Sequence, residues 1–148
     1  MKNKPMNILY IEDDREDGRL AQKVCKTLNL SNNLFVVSSA EGALEFLKKE
    51  GAYRDVVRPD AILLDLNLPK MSGQDLLKEI KKDHRFSAIP TAILTGSKAD
   101  ENIIRGYDQR THRYFQKPVE FEEFVKTIKE IEKFCQDLVG PSGGYAKG

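Results

Sequence analysis

Four short apolar runs of this chain each lead to side chains that could do chemistry. Glu12 and Asp13 follow the run "NILYI", and three further runs end on Asp65, Thr95 and Lys117. Carboxylates held close together repel one another unless they share a cation. A hard divalent ion such as Mg²⁺ prefers oxygen ligands and typically binds one or two carboxylates with a phosphate oxygen. If the runs are strands that end at one edge of a sheet, they predict a magnesium site.

The same residues favour phosphoryl chemistry. A carboxylate such as Asp65 can attack phosphorus and form an aspartyl phosphate. Phosphoryl transfer needs mainly positioning and charge neutralisation, which a metal ion on one side and the Lys117 ammonium on the other would supply. No histidine or cysteine lies beside the acids in the sequence, which disfavours zinc and other soft-ligand metals.

Each residue also has an ordinary structural interpretation. Asp65 can simply precede a turn, because "NLP" follows it. Asp13 and Asp14 can cap a helix, while Thr95 can be a plain strand residue and Lys117 a solvated charge. The order of these residues at the ends of strands one, three, four and five is what favours the chemical interpretation.

Five runs rich in β-branched and aromatic residues have the length of strands. They are Asn7–Ile11, Leu34–Ser38, Ala61–Asp65, Thr91–Thr95 and Arg113–Lys117. Strands that alternate with helices predict an α/β fold whose parallel sheet is covered on both faces. Such sheets bind ligands at the carboxyl ends of their strands.

Amphipathic stretches between the runs predict five helices. Their apolar stripes lie within 20–28, 43–47, 76–80, 103–107 and 121–138. Two pairs have capping-box spacing at helix starts, Ser38 with Glu41 and Ser72 with Asp75.

Composition limits the classes of protein that fit. The 148 residues, 40% of them hydrophobic, predict one domain at 1–139 and a disordered tail at 140–148. A net charge of +1 without a long single-sign run gives no support for a nucleic-acid or membrane surface. The start lacks a signal peptide, and no apolar run is long enough to span a membrane. Cys25 and Cys135 lie far apart, which suits a reducing compartment, so we expect a cytoplasmic protein.

The ordered motifs "YIEDD", "ILLDLNLPKMSG", "AILTGS" and "YFQKP" resemble the receiver domain of two-component response regulators. The resemblance runs from about Met6 to about Leu138. It implies a flavodoxin-like (βα)5 fold with strand order 2-1-3-4-5. It also implies that Asp65 is the phosphoacceptor, taking a phosphoryl group from a phosphohistidine on a partner histidine kinase.

The resemblance implies a Mg²⁺ site, with Mn²⁺ as a substitute, built from four residues. Asp13 and Asp65 bind the ion through their carboxylates. Glu12 acts mostly through a bridging water, and Asn67 contributes its backbone carbonyl. Glu12 stands where receiver domains more commonly carry an aspartate, so this ligand side chain of the metal site is longer.

The resemblance also implies roles around the phosphoryl group. Thr95 hydrogen-bonds the phosphoryl oxygens and Lys117 pairs with them. Gly96 leaves the group room to approach, and Ser97, with Asn67, flanks it and influences its lifetime. Tyr114 stands where these domains carry an aromatic ring that swings inward when the threonine moves.

Phosphorylation would add about −1.5 to −2 units of charge at Asp65. That charge pulls Thr95 and Lys117 inward and opens space for the Tyr114 ring, which is a two-state switch. We expect the readout surface to be the predicted helix around residues 103–107 with the last strand and the last helix.

A narrower resemblance rests on the segment "KKEGAYRDVVRPD", which lengthens the separation of Asp13 and Asp65. With the long last helix, after which we expect no output domain, this resembles the small stand-alone response regulators that partner phytochrome-type histidine kinases. Output would then run through protein contacts. The loop from Gly51 to Pro59 can equally be an ordinary surface insertion.

The last helix continues its apolar character beyond the predicted sheet. Exposed there, Ile131, Phe134, Leu138 and Val139 would form a sizeable patch. We therefore predict a homodimer with Ile131, Phe134 and Leu138 in its interface, and the alternative is ordinary burial of the same residues in the core.

Three rival functions belong to other classes. An aspartyl-phosphate phosphatase typically carries D-x-D-x-T, whereas Asp65 is followed by Leu-Asn and no second acid. A flavodoxin-like cofactor binder would carry a phosphate loop after the first strand, and none is present. A phosphorylation-independent interaction module is disfavoured by the intact Asp65, Thr95 and Lys117. We expect no enzyme activity beyond the protein's own phosphorylation and dephosphorylation.

Overall fold

A computed structural model describes residues 6–28, 33–65, 73–95 and 112–139 of the chain. They contain one parallel sheet with the strand order β2-β1-β3-β4-β5. The strands are β1 Asn7–Ile11, β2 Asn33–Val37, β3 Ala61–Asp65, β4 Thr91–Thr95 and β5 His112–Gln116. The predicted fold class and strand order are confirmed.

Four α-helices lie in these described ranges. They are α1 Arg15–Thr27, α2 Ala40–Lys48, α3 Gly73–Lys82 and α4 Phe121–Val139, and a short 3₁₀ helix covers Gly51–Tyr53. The predicted helix at 103–107, the cap at Ser72 and the tail at 140–148 fall outside the described residues. None of the described helices has the length and apolar character that crossing a membrane requires.

Two strand ends and one helix cap differ from the prediction by one residue. β2 ends at Val37, whose carbonyl accepts from Glu12 N at 2.9 Å, and not at Ser38. β5 ends at Gln116, which pairs with the last residue of β4, and not at Lys117. The predicted cap at Ser38 was wrong, because extended Ser39 places its hydroxyl 3.0 Å from the Gly42 N–H.

Side chains alternate along the strands between two buried layers. One, the α2/α3 layer, lies between the sheet and helices α2 and α3 and takes Leu9 and Ile11 from β1. The other, the α1/α4 layer, lies between the sheet and helices α1 and α4 and takes Ile8 and Tyr10. Because side chains two residues apart in a strand share a face, Glu12 and Asp65 point to the α1/α4 side.

The lengthened segment before β3 packs onto the α2/α3 layer. The Tyr53 ring lies 5.3 Å from the Phe46 ring, and Val56 packs against the same core. Arg58 donates a hydrogen bond to the Arg85 carbonyl. The insertion is therefore part of the folded domain.

Two of the three residues of α4 that were predicted to lie in a dimer interface are buried within the monomer. Ile131 is 1% exposed and packs in the α1/α4 layer. Phe134 is 3% exposed, and the Arg113 guanidinium of β5 stacks 4.7 Å from its ring centre. The prediction of an exposed patch at Ile131 and Phe134 was wrong, because α1 and Arg113 cover them. Leu138 is half-buried.

Candidate functional site

The strand register brings two acids together at the carboxyl edge of the sheet. Ile11 of β1 pairs with Leu64 of β3, so the next residues, Glu12 and Asp65, lie side by side. Both are buried, at 2% and 1% exposure, while the adjoining Asp13 is exposed. One carboxylate oxygen from each of the three lies within 4.8 Å of the others. The structure thus assembles three of the predicted metal ligands.

Lys117 reaches this edge from the end of β5 and contacts three carboxylates. Its Nζ lies 2.9 Å from Glu12 Oε1, 3.0 Å from Asp65 Oδ2 and 3.2 Å from Asp17 Oδ2. An ammonium group has three hydrogens to donate, so one carboxylate is available for each. Burial lowers the pKa of Lys117, but the hydrogen bonds to Glu12 and Asp65 outweigh it and raise that pKa above its ordinary value.

Three donors fix the Glu12 carboxylate. The Tyr10 hydroxyl donates to Oε1 at 3.0 Å, and the Asp14 backbone N–H donates to Oε2 at 3.1 Å. Lys117 is the third donor. Burial, opposed by the Lys117 hydrogen bond and reinforced by the charge of Asp65, raises the pKa of Glu12 to about 7. The site therefore favours a further positive charge beside this carboxylate.

The donor set fits a hard divalent cation. Glu12, Asp13 and Asp65 offer carboxylate oxygens only, and two of these residues, Glu12 and Asp65, also contact the Lys117 ammonium group. Oxygen-only ligands suit Mg²⁺ and Mn²⁺, and no histidine or cysteine belongs to the group among the described residues. The sequence-based choice of a magnesium-type ion fits the residues present.

The predicted phosphoryl contacts are placed only in part. Thr95 is the last residue of β4 and its backbone pairs with Gln116, one residue before Lys117. The side chain of Thr95, and the whole of Asn67, Gly96 and Ser97, lie outside what the structure describes. Their roles remain predictions.

Tyr114, the predicted switch residue, lies in the middle of β5. Its backbone pairs with Ile93 of β4, and its ring is half-buried against the α2/α3 layer. The ring thus faces the side of the sheet opposite to Glu12 and Asp65. Its movement on phosphorylation stays a prediction.

Sequence reasoning missed Tyr10 and Asp17. Tyr10 precedes Glu12 by two residues in a strand, and that spacing alone places both on one face. Asp17 lies in the first turn of the helix that follows the acids. Asp17 and Lys117 are a hundred residues apart in the sequence, so local spacing does not indicate their contact.

Comparison with known proteins agrees with this geometry. The model of the family described as the response regulator receiver domain matches residues 8–129. This chain belongs to that family. As a receiver it is a signalling domain whose family partners are histidine kinases, and it is not a classical enzyme.

Two of the receivers that are similar to this chain are cyanobacterial. Response regulator Rcp1 of Synechocystis sp. is 36% identical over 137 residues, which is 93% of each chain. The crystal structure of the phosphorylated cyanobacterial phytochrome response regulator RcpA superposes with a TM-score of 0.77 at 34% identity, covering 88% of this chain and 94% of that one. The Mn²⁺-bound form of Rcp1 gives 0.75 at 36% identity, with the same coverage.

Proposed function

We propose that this receiver accepts a phosphoryl group on Asp65 from a phosphohistidine of a partner histidine kinase. The observation that carries the proposal is the environment of the Asp65 carboxylate. Asp65 is 1% exposed and lies at the carboxyl edge of the sheet. Its Oδ2 atom is 3.0 Å from Lys117 Nζ, and one of its carboxylate oxygens lies within 4.8 Å of carboxylate oxygens of Glu12 and Asp13. A carboxylate beside a metal site and a lysine is suited to act as a nucleophile toward phosphorus.

The transfer needs no reactant other than the phosphohistidine and a proton from water. An Asp65 carboxylate oxygen forms a bond to phosphorus, and the bond between phosphorus and the donor imidazole nitrogen breaks. The electron pair of that bond remains on the imidazole, which leaves as neutral histidine after taking up a proton. Hydrolysis of the resulting acyl phosphate by water returns Asp65 to its starting state, and this is the dephosphorylation activity we assign to the protein.

Glu12, Asp13 and Asp65 would hold the divalent ion, with the Asn67 carbonyl as the fourth protein ligand that the resemblance implies. When bound, Mg²⁺ or Mn²⁺ neutralises negative charge on the phosphoryl oxygens. Lys117 neutralises charge from the opposite side, and its three carboxylate contacts hold it within reach. Tyr10 and the Asp14 N–H keep Glu12 oriented toward the site.

The phosphoryl charge then acts on the position of Lys117 and, as the resemblance implies, on Thr95 and Tyr114. Lys117 follows β5 directly, so a shift of its ammonium group is transmitted to that strand. Arg113 of β5 stacks on Phe134 of α4, which links the strand to the last helix. We infer that partner proteins read the state of Asp65 on the surface of β5 and α4, through protein contacts.

The similarity to Rcp1 and RcpA supports a phytochrome-type kinase as the phosphodonor and a place in light signalling. A homodimer remains part of the proposal, with Leu138 as the remaining candidate for its interface. The two buried free thiols, Cys25 and Cys135, suit a cytoplasmic protein. We expect no nucleic-acid or membrane partner, because the net charge is only +1.

Intact mass measured after incubation with a small phosphodonor tests the function. The native chain is expected to gain one phosphoryl group with Mg²⁺ and none with a chelator. Asp65→Asn keeps the shape of the side chain and removes the nucleophile, so it should gain none under either condition. A native chain that binds Mg²⁺ and gains no phosphoryl group would instead support the interaction-module alternative.

A further inference from the structure

The Asp17 carboxylate belongs neither to the predicted metal ligands nor to the phosphoryl contacts. We propose that Asp17 is a positioning residue that holds Lys117 at the site while the lysine's other two partners change. The inference rests on the proposed function, because it concerns the lysine that serves the phosphoryl group. It adds a residue that the spacing of the sequence motifs does not reveal.

The contacts of Lys117 divide into two kinds. Glu12 and Asp65 are deeply buried, with side chains 1% and 2% exposed, and both take part in the proposed chemistry. Asp17 is 27% exposed, and its Oδ2 lies 3.2 Å from Nζ. The ammonium group therefore contacts the reacting Asp65 carboxylate, the predicted metal ligand Glu12 and one carboxylate that has neither role.

The backbone of Asp17 is well fixed for such a role. Asp14 caps helix α1 and accepts hydrogen bonds from the Glu16 and Asp17 backbone N–H groups, at 2.8 and 3.3 Å. The next residue, Gly18, is buried against β2, where a Cβ atom would come within 3.2 Å of Val36 Cγ1. Because glycine allows this close approach, the first turn of α1 packs directly against β2 of the sheet.

Two of the three lysine partners change during the proposed reaction. Asp65 becomes an acyl phosphate, and Glu12 shares its charge with the divalent ion. Asp17 keeps its carboxylate throughout. Lys117 can then exchange Asp65 Oδ2 for a phosphoryl oxygen while the contact with Asp17 limits its motion, and this preorganises the charge that stabilises the transition state.

The neighbouring residue offers a matched control. Glu16 lies in the same first turn of α1 and carries the same charge. Its side chain is exposed and makes no ion pair with any residue that the structure describes. Glu16→Gln and Asp17→Asn therefore remove equal charge from one helical turn, and only the second removes a partner of Lys117.

The rate of phosphorylation by a small phosphodonor should be measured as a function of donor concentration at saturating Mg²⁺. A partly exposed ion pair contributes modestly, so we expect Asp17→Asn to lower the limiting rate constant about threefold to fivefold. The donor concentration at half-saturation should stay unchanged. Glu16→Gln should behave as the native chain, and Asp17→Glu should restore most of the rate.

Equal limiting rates for Asp17→Asn and Glu16→Gln would overturn the inference, and so would a change confined to half-saturation. The ¹⁵N resonance of the Lys117 ammonium group gives a second readout that needs no phosphorylation. We expect it to shift in Asp17→Asn and to stay in place in Glu16→Gln, and an unmoved resonance in both would also overturn the inference. A native chain that takes up no phosphoryl group would refute the proposed function and leave this second readout valid.

Discussion

The two layers that flank the sheet use the same strand alternation with different results. The α2/α3 layer takes Leu9, Ile11 and Leu64 and is apolar up to the carboxyl edge of the sheet. In the α1/α4 layer the alternation that buries Tyr10 and Leu63 continues into Glu12 and Asp65. One face of the sheet is therefore apolar up to this edge, while the other carries buried charge that must be compensated.

That difference has a thermodynamic cost, because buried carboxylates lose hydration and regain stability only through well-placed partners. Lys117 is the positively charged partner that both carboxylates share in the structure, and a bound divalent ion would be a second one. Substitutions in the α1/α4 layer should therefore change how strongly Mg²⁺ stabilises the protein. Substitutions in the α2/α3 layer should change stability without affecting that response.

The largest effect is expected in the apolar layer. Leu77→Ala empties a fully buried position of α3 and should lower the free energy of unfolding by about 2–5 kcal/mol. Urea unfolding with and without Mg²⁺ measures it. The stabilisation by Mg²⁺ should equal that of the native chain, and a reduced Mg²⁺ response would break the distinction between the layers.

Lys117→Met should produce a smaller loss that the metal reverses. Without divalent ions the variant leaves Glu12 and Asp65 without their shared ammonium group, which we expect to cost about 1–3 kcal/mol. Mg²⁺ should restore more stability to this variant than to the native chain in the same urea titration. A loss that Mg²⁺ leaves unchanged would contradict the electrostatic account of this layer.

Alkaline pH should also act through the α1/α4 layer. Burial raises the pKa of Cys135 to about 12, and burial and the Glu12 charge raise the pKa of Tyr10 above its ordinary value. As pH rises, both groups lose their protons in the unfolded chain before they do so in the folded one. Their contribution to the free energy of unfolding is therefore fully present below about pH 8.5 and falls as the pH rises toward their folded-state pKa.

For Cys135 the expected loss is about 2 kcal/mol near pH 10. Urea unfolding of the native chain and of Cys135→Ala across this range measures it, and the variant should lose less stability between about pH 8.5 and pH 10. Identical pH dependence in the two proteins would exclude Cys135 as a source of the alkaline loss.

Tyr10→Phe should give the smallest change. The ring keeps its edge-on contact with Phe124, 6.1 Å between centres, and only the hydroxyl that donates to Glu12 is lost. We expect a loss of about 1 kcal/mol in the free energy of unfolding. Calorimetric titration should show weaker Mg²⁺ binding, because Glu12 is no longer held in place, and unaltered binding would show that Tyr10 serves stability alone.

The sequence predicted three of the four strands whose ends carry chemistry and displaced the fourth, β5, by one residue. β1, β3 and β4 have the predicted bounds, because each apolar run stops where polar residues take over at the carboxyl edge. β2 and the cap of α2 were displaced by one residue, since two adjacent serines give the same local signal at Ser38 and Ser39. Only the backbone conformation decides between them.

Tertiary contacts explain what sequence reasoning could not find. The apolar stripe of α4 predicted an exposed patch. The helical spacing of apolar residues does not reveal that Arg113 of β5 covers Phe134. Likewise the spacing of the acids predicted Glu12, Asp13 and Asp65, and gave no information on the ion pair between Asp17 and Lys117. Both contacts form only when β5 takes its place at the end of the sheet.

The identity of the phosphorylated residue decides whether Asp65 is the phosphoacceptor. Reduction of the phosphorylated protein with borohydride converts an aspartyl phosphate to homoserine, and peptide mass mapping then locates the change. We expect homoserine at position 65 only, and only in protein treated with phosphodonor and Mg²⁺. Modification at another acid, such as Asp13 or Asp17, would contradict it.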